Sequence, residues 1–322
     1  MINFLDPAIL FFIFGVFAGT VKSNLEIPPQ ISRFLSLYLL MALGLKGGFA
    51  LHKSGFTNEI GLSLGLAVSL AIIIPIIGYW LLRRSLNAFD AAAISATYGS
   101  VSAVTFITAT QYLDQFNIEY GGYMAAAMAL MESPAIILAI VLANKARASV
   151  SFDAKNKHLQ TSIPNILHES FTDGAQLLLL GSMIVGLVSG DAGQTLMAPF
   201  SIDLFKGMLA FFLLDMGLMA SRNFSGLKGK PKITLIYAIG SPIFHALLAL
   251  GLCKLIGLPL GNTILLMVLA SSASYIAVPA VLRHAMPEVS PALYMGMSLG
   301  ITFPLNIILG IPIYSAIAKF YN

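Results

Sequence analysis

Two stretches decide how this chain folds: ISATYGSVSAVTF at 94–106 and VLASSASYIAVPAVL at 268–282. Each lies inside an apolar run of helix length, yet small and hydroxyl residues stand where a plain membrane anchor would have leucine. Thr97, Tyr98, Gly99, Ser100, Ser102 and Thr105 fill the first; Ser271, Ser272, Ser274 and Tyr275 precede Pro279 in the second. Gly99 and Pro279 favour an unwound segment. Unwound backbone in hydrocarbon is tolerated only where it lines a protein-enclosed, wet or ligand-filled space. Each stretch therefore reads as a helix broken at a binding site. The plainer reading is that serine and threonine pack helices closely and bond their own backbone.

The whole chain is membrane-like. Of 322 residues, 57% are hydrophobic and 10% charged, with mean hydropathy +0.86, against roughly 25% charged in soluble domains. Cytosolic enzymes, nucleic-acid binders and disulfide scaffolds are excluded on that ground. Apolar runs occur at about 7–21, 34–51, 60–82, 90–113, 121–142, 173–190, 203–220, 233–256, 259–285 and 291–318. Ten membrane-spanning helices are expected, the first retained rather than cleaved as a signal peptide. The single cysteine, Cys253, forms no intrachain disulfide and reads as a lipid-buried thiol.

Ten spans place both termini on one side. The loops on that side carry Lys46, Lys53, Lys206, Lys254 and Lys319, and the opposite loops carry the other thirteen of the 18 basic residues. By the positive-inside rule the termini lie outside and the polar connection between spans five and six is cytoplasmic. It separates 1–145, a first five-helix repeat, from 173–322, a second, with 146–172 between them.

The halves run in parallel. Asp6 opens the first span, LMALGLKGG (40–48) closes the second, and GGYMAAAMALMESPAIILAI (121–140) forms the fifth. Asp173, LLDMGLMAS (213–221) and PALYMGMSLGITFPLNIILGI (291–311) take the same places later. The fourth and ninth helices are the broken ones, and Pro134 and Pro304 stand in the fifth and tenth. Because each repeat has an odd number of spans, the second is inverted, which is a secondary-transporter pattern. Where the breaks cross, the second half-helices present free N–H groups and positive dipole ends suited to a small anion. The first half-helices present carbonyls suited to Na⁺.

Ionisable residues inside spans cost about 2.5–3.5 kcal/mol each at the centre. Glu132, beside Ser133 and Pro134, reads as a ligand or counter-charge for a cation, or as a protonated packing element. Lys46 and Asp215 stand at different depths and should not pair: Lys46 is expected to snorkel outward, Asp215 to cap or line a water-accessible interface. His245 reads as a neutral histidine bonded to a neighbouring helix, or as a proton relay. HExxH, P-loop, GxSxG and GxGxxG contexts are absent, so an enzyme is not expected.

IPPQISRFLSLYLLMALGLKGG (27–48), YGSVSA (98–103), MESPAIILAIVLAN (131–144) and ASSASYIAVPAVLRHAMPEVSPALYMG (270–296) resemble the sodium-dependent bicarbonate transporter family, first recognised in cyanobacterial carbon concentration. The resemblance covers nearly the whole chain. It implies an all-α membrane protein of ten helices in inverted repeats, a homotrimer, elevator-type movement of a core against a scaffold, and bicarbonate carried with Na⁺ as coupling ion and no other cofactor. The family's Ser-Gly-Ser-Thr stretch falls on Ser102, Ala103, Val104 and Thr105. Its serine run before an aspartate falls on Ser272, Ala273, Ser274 and Tyr275, so Tyr275 replaces the aspartate. On this reading Gly99, Ser100, Ser102, Ser272, Ala273 and Ser274 face the anion, and Ser102, Thr105, Glu132, Ser271, Tyr275 and Asn306 face Na⁺. A PII-type regulator at the cytoplasmic connection and a bacterial inner-membrane location go with it. The rival readings are an elevator carrier of a small organic carboxylate and a non-transporting scaffold or sensor that binds a cytoplasmic regulator.

Overall fold

The computed structural model describes residues 6–55, 57–150, 174–224, 229 and 231–321, and among these there is no strand. The helices are α1 (Pro7–Thr20), α2 (Pro29–Ser54), α3 (Asn58–Leu82), α4 (Ala88–Gly99), α5 (Ala103–Gln115) and α6 (Met124–Val150). After the connection come α7 (Gly174–Ala198), α8 (Phe205–Phe224), α9 (Lys232–Ile256), α10 (Leu260–Ser271), α11 (Ala277–Ala285) and α12 (Pro291–Tyr321). Asp173 and 151–172 of the connection lie outside the described residues, and α6 runs past the expected boundary at residue 145 to Val150.

Among the described residues, seven helical segments are long and apolar enough to cross a membrane: 29–54, 58–82, 88–115, 124–145, 174–224, 232–256 and 291–321. The sequence alone gives ten apolar runs, and the difference has three causes. α1, with 14 residues, spans only about 21 Å at 1.5 Å per residue. α7 and α8 follow one another through a π-turn at Pro199–Asp203 and count as one stretch, although Gly190, at φ 56° and ψ −144°, breaks the helix at the end of the expected run 173–190. α10 and α11 are separate short helices. Large apolar side chains face outward on α1 (Phe11, Phe14, Phe17), α7 (Ile184, Val188) and α9 (Ile236, Phe244). An exterior of this kind suits lipid rather than water.

Local chemistry sets the helix ends. Asp6 Oδ1 accepts from the Ala8 amide at 2.8 Å with Pro7 at the first helical position of α1, and Asn87 Oδ1 caps α4 by accepting from the Asp90 amide at 2.8 Å. The Asn262 side chain, in the first turn of α10, donates to Tyr123 Oη at 2.7 Å and to Glu59 Oε1 at 2.5 Å, and accepts from the Gly121 amide at 2.7 Å. One amide thus ties together the N-terminal ends of α3, α6 and α10.

Two groups of helices emerge from the packing. α1 lies along α8, and α2 lies along α7. Both pairs are joined through glycine: a Cβ on Gly15 would stand 2.2 Å from the Leu214 carbonyl, and one on Gly48 would stand 2.1 Å from that of Met183. Such direct backbone approach is the usual way membrane helices associate without a hydrophobic driving force. The second group packs α3, α4 and α6 on one another, with α9 against α10.

Candidate functional site

The two expected breaks exist, and they cross. α4 ends at Gly99 and α5 begins at Ala103, while α10 ends at Ser271 and α11 begins at Ala277. Ser100 and Ser272 both leave their helices in extended conformation. The Ser102 amide donates to Ser272 Oγ at 3.0 Å, and the Ser274 amide donates to the Thr97 carbonyl at 2.8 Å. Each break thereby satisfies backbone groups of the other, which is what lets irregular backbone persist inside an apolar protein.

Gly99 has a different use from the expected one. Its φ is not in the left-handed region; a Cβ there would meet the Pro75 ring at 2.7 Å. The residue is small because α3 passes against it. Pro279 likewise does not sit in the unwound segment but in the first turn of α11, where its missing N–H needs no intrahelical partner.

The second half-helices begin as expected but are capped unequally. Ser102 caps α5: its Oγ accepts from the Thr105 amide at 3.2 Å and from the Thr105 hydroxyl at 2.9 Å. Ile276 stands at the cap position of α11 without a side-chain cap, and Ser274 Oγ instead accepts from the Val278 amide at 3.3 Å. The first-turn amides of Ala103 and Val104 have no acceptor within their own helix, as at any helix start.

Beside the crossing lies a cavity of about 170 Å³. Ser102, Ala103, Glu132, Ser274 and Tyr275 line it, together with Ser36 of α2 and Gln176 of α7. Among the sequence-derived site residues, Gly99, Ser100, Thr105, Ser271, Ser272, Ala273 and Asn306 do not line it. Thr105 and Ser272 support it through Ser102. Asn306 Nδ2 donates to the Ser271 carbonyl at 2.8 Å, and Tyr314 donates to Asn306 Oδ1 at 3.1 Å. Ser100 Oγ and Tyr275 Oη are buried without a hydrogen-bond partner among the described residues. The Tyr275 ring meets Phe303 edge-on, centroids 5.3 Å apart.

Gln176 and Ser36 were not legible in the sequence. Gln176 donates its side-chain amide to Glu132 Oε2, so the carboxylate is held from across the cavity. The only sign of it was a lone amide at the head of the apolar run QLLLLGS. The notable turns around Pro304 also escaped: α12 passes through π-turns at Ser298–Thr302 and Asn306–Gly310, a rare geometry that recurs at functional sites.

Other intramembrane groups are placed as follows. Lys46 does not simply reach outward: its Nζ lies 3.5 Å from Asp114 Oδ2 and 4.3 Å from the Phe205 ring centroid. This pair borders a second hollow of about 760 Å³ beside the C-terminal half of α2. Asp215 is buried, and its Oδ2 has no partner among the described residues. His245 is buried between Tyr237 and Phe244 and is hydrogen-bonded to the Ala270 backbone of α10, as expected of a histidine tied to a neighbouring helix, while its Nδ1 has no partner among the described residues. Cys253, expected to face lipid, is fully buried in the protein interior, because its face of α9 is turned toward α10.

Among curated proteins none matches the chain. The family described as the Na⁺-dependent bicarbonate transporter superfamily matches residues 7–319, and a transporter family is not an enzyme family. With nearly the whole length matched and broken apolar helices crossing beside a cavity, this chain, an integral membrane protein, belongs to the Na⁺-dependent bicarbonate transporter superfamily.

Proposed function

We propose that the chain is a Na⁺-coupled symporter of a small anion, bicarbonate first, working by an elevator movement in a bacterial inner membrane. The observation that carries this is the crossing of the two breaks beside the cavity, with Ser102 to Ser272 at 3.0 Å and Ser274 to Thr97 at 2.8 Å. The first-turn amides of α5 supply donors and positive potential for an anion. The Thr97 and Ser271 carbonyls each accept one hydrogen bond and retain a second lone pair. Among the described residues no three His, Cys, Asp or Glu side chains gather as a metal site. A cation here is therefore held by hydroxyl and carbonyl oxygens with Glu132, and Ser102, Thr105, Ser271, Tyr275 and Asn306 are the oxygen-bearing candidates.

On this reading there are ten spans in two inverted repeats, 1–145 and 173–322, with both termini outside. The α1–α8 and α2–α7 pairs form the scaffold, and the remaining helices form the moving core. The pairing fits inverted symmetry: the first helix of each repeat packs on the second helix of the other. A homotrimer, and a PII-type regulator at 146–172, complete the proposal.

Uptake of labelled bicarbonate into proteoliposomes, with and without an imposed Na⁺ gradient, tests the symport. Na⁺-stimulated bicarbonate accumulation is expected, and accumulation unaffected by the gradient overturns it. For the elevator, cysteine pairs bridging core and scaffold in a Cys253→Ser background should cross-link in different combinations with and without substrates. Unchanged combinations during active transport would require local gating about a fixed site.

A second reading, a carrier of a small organic carboxylate, is favoured by one observation. Much of the cavity lining is apolar, including Val101, Met128, Ile136 and Ile276. Competition of unlabelled carboxylates against bicarbonate separates the two.

A further inference from the structure

The contact between Glu132 and Gln176 joins the two helix groups at the ligand cavity. Glu132 is on α6, in the broken-helix group, and Gln176 is on α7, in the glycine-joined group; both line the same cavity. The Gln176 side-chain amide donates to Glu132 Oε2. Elsewhere α6 and α7 touch only modestly, whereas α2 and α7 are in contact along their lengths. A carboxylate in this setting needs compensation, and an amide N–H is a partial one.

We propose that Gln176 is a positioning residue that ties the core to the scaffold through Glu132 while the cation is absent, and that the coupling cation releases the tie. The inference rests on the symport reading above. When Na⁺ binds Glu132, the carboxylate's charge is met by the cation, and the Gln176 –NH₂, itself the positive end of a dipole, is no longer drawn to that oxygen. The hydrogen bond and the cation draw on the same carboxylate charge, so binding of one weakens the other. The free energy that holds the two groups together is thereby converted into a dependence on Na⁺. A ligand shifts a two-state equilibrium only by its unequal interaction with the two states, and this bond supplies such an inequality at the site itself. Ser36, which lines the cavity from α2, reports on the same boundary without contributing to the tie.

The test compares the unsubstituted protein with Gln176→Ala in proteoliposomes, measuring bicarbonate uptake with and without Na⁺. Loss of a hydrogen bond to a charged group changes an equilibrium by about tenfold or more. Uptake without Na⁺ should therefore rise by about that factor, and the Na⁺ stimulation ratio should fall correspondingly. An unchanged stimulation ratio overturns the proposal. Should Gln176→Ala not transport, thiol labelling of Ser36→Cys in the Cys253→Ser background decides without turnover. The Gln176→Ala form in the absence of Na⁺ should label at the rate of the Gln176 form loaded with Na⁺ and bicarbonate; equal rates for the two unloaded forms overturn the tie. If the unsubstituted protein shows no Na⁺ response, the symport reading falls and the tie with it. If it responds, and Gln176→Ala responds identically, the tie alone falls.

Discussion

The α2–α7 contact and the crossing of the two broken helices use the same kinds of residue for opposite ends. At α2–α7, Gly44, Gly48 and Gly186 are small so that backbones can touch: a Cβ on Gly186 would stand 2.6 Å from the Leu45 carbonyl. At the crossing, Ser102, Ser272 and Ser274 interrupt helices and bond across the gap. The first arrangement sets main chain against main chain, and an added Cβ collides with it. The second is polar and borders a cavity, so changes there act on ligands more than on folding. Small residues in an apolar run thus signal two unrelated things, and only their partners tell them apart.

The largest expected effect lies on the rigid side. Gly48→Leu forces α2 and α7 apart and should destabilise the protein by about 3 kcal/mol, near the upper end of overpacking costs. Thermal unfolding in detergent, or the yield of folded protein, measures it. A variant as stable as the parent would mean that the two helices are not held by backbone contact.

Next come the crossing serines. Ser102→Leu and Ser274→Leu should abolish uptake while leaving expression and oligomer size unchanged, because their hydroxyls serve the half-helix starts and line the cavity. Undiminished transport in both would move the site elsewhere and break the comparison.

Glu132→Gln should act more selectively. It keeps the shape of the side chain but removes the charge, so the Na⁺ concentration for half-maximal uptake should rise by about tenfold. The anion's apparent affinity at saturating Na⁺ should change less. Unaltered Na⁺ activation would assign the residue to packing.

The smallest effect belongs to a half-buried tie outside both regions. Arg147 donates to both Glu288 oxygens at 2.8 Å and to the Ala285 carbonyl at 2.8 Å, fastening α6 to the turn between α11 and α12. The guanidinium holds the Glu288 carboxyl below the usual glutamate range. Its stabilisation is thus complete at neutral pH and is lost as pH falls through that lowered value. The Glu288 side chain is 29% exposed, and Arg147 keeps Asn144 and the Ala285 carbonyl as acceptors without it, so Glu288→Gln should cost about 1 kcal/mol. The difference in melting temperature from the parent should disappear in acid. A difference that grows in acid would contradict the pairing.

What could be read from the sequence alone were the local features. Apolar length identified the membrane class, the hydroxyl-rich runs contained both breaks although Pro279 marked the second one too late, and the quoted motifs pointed to the family that residues 7–319 match. These are legible because a break or a span is written in consecutive residues. Tertiary structure decided which way each helix faces. Cys253 turned inward instead of toward lipid, Lys46 found Asp114, Gly99 met Pro75, and Gln176 reached Glu132. In water a helix's apolar stripe announces its buried face. In a lipid-facing protein the helices are apolar on every side, so rotation about the axis is set by backbone fit and a few polar contacts between segments far apart in the chain, and no single stretch of sequence holds both partners.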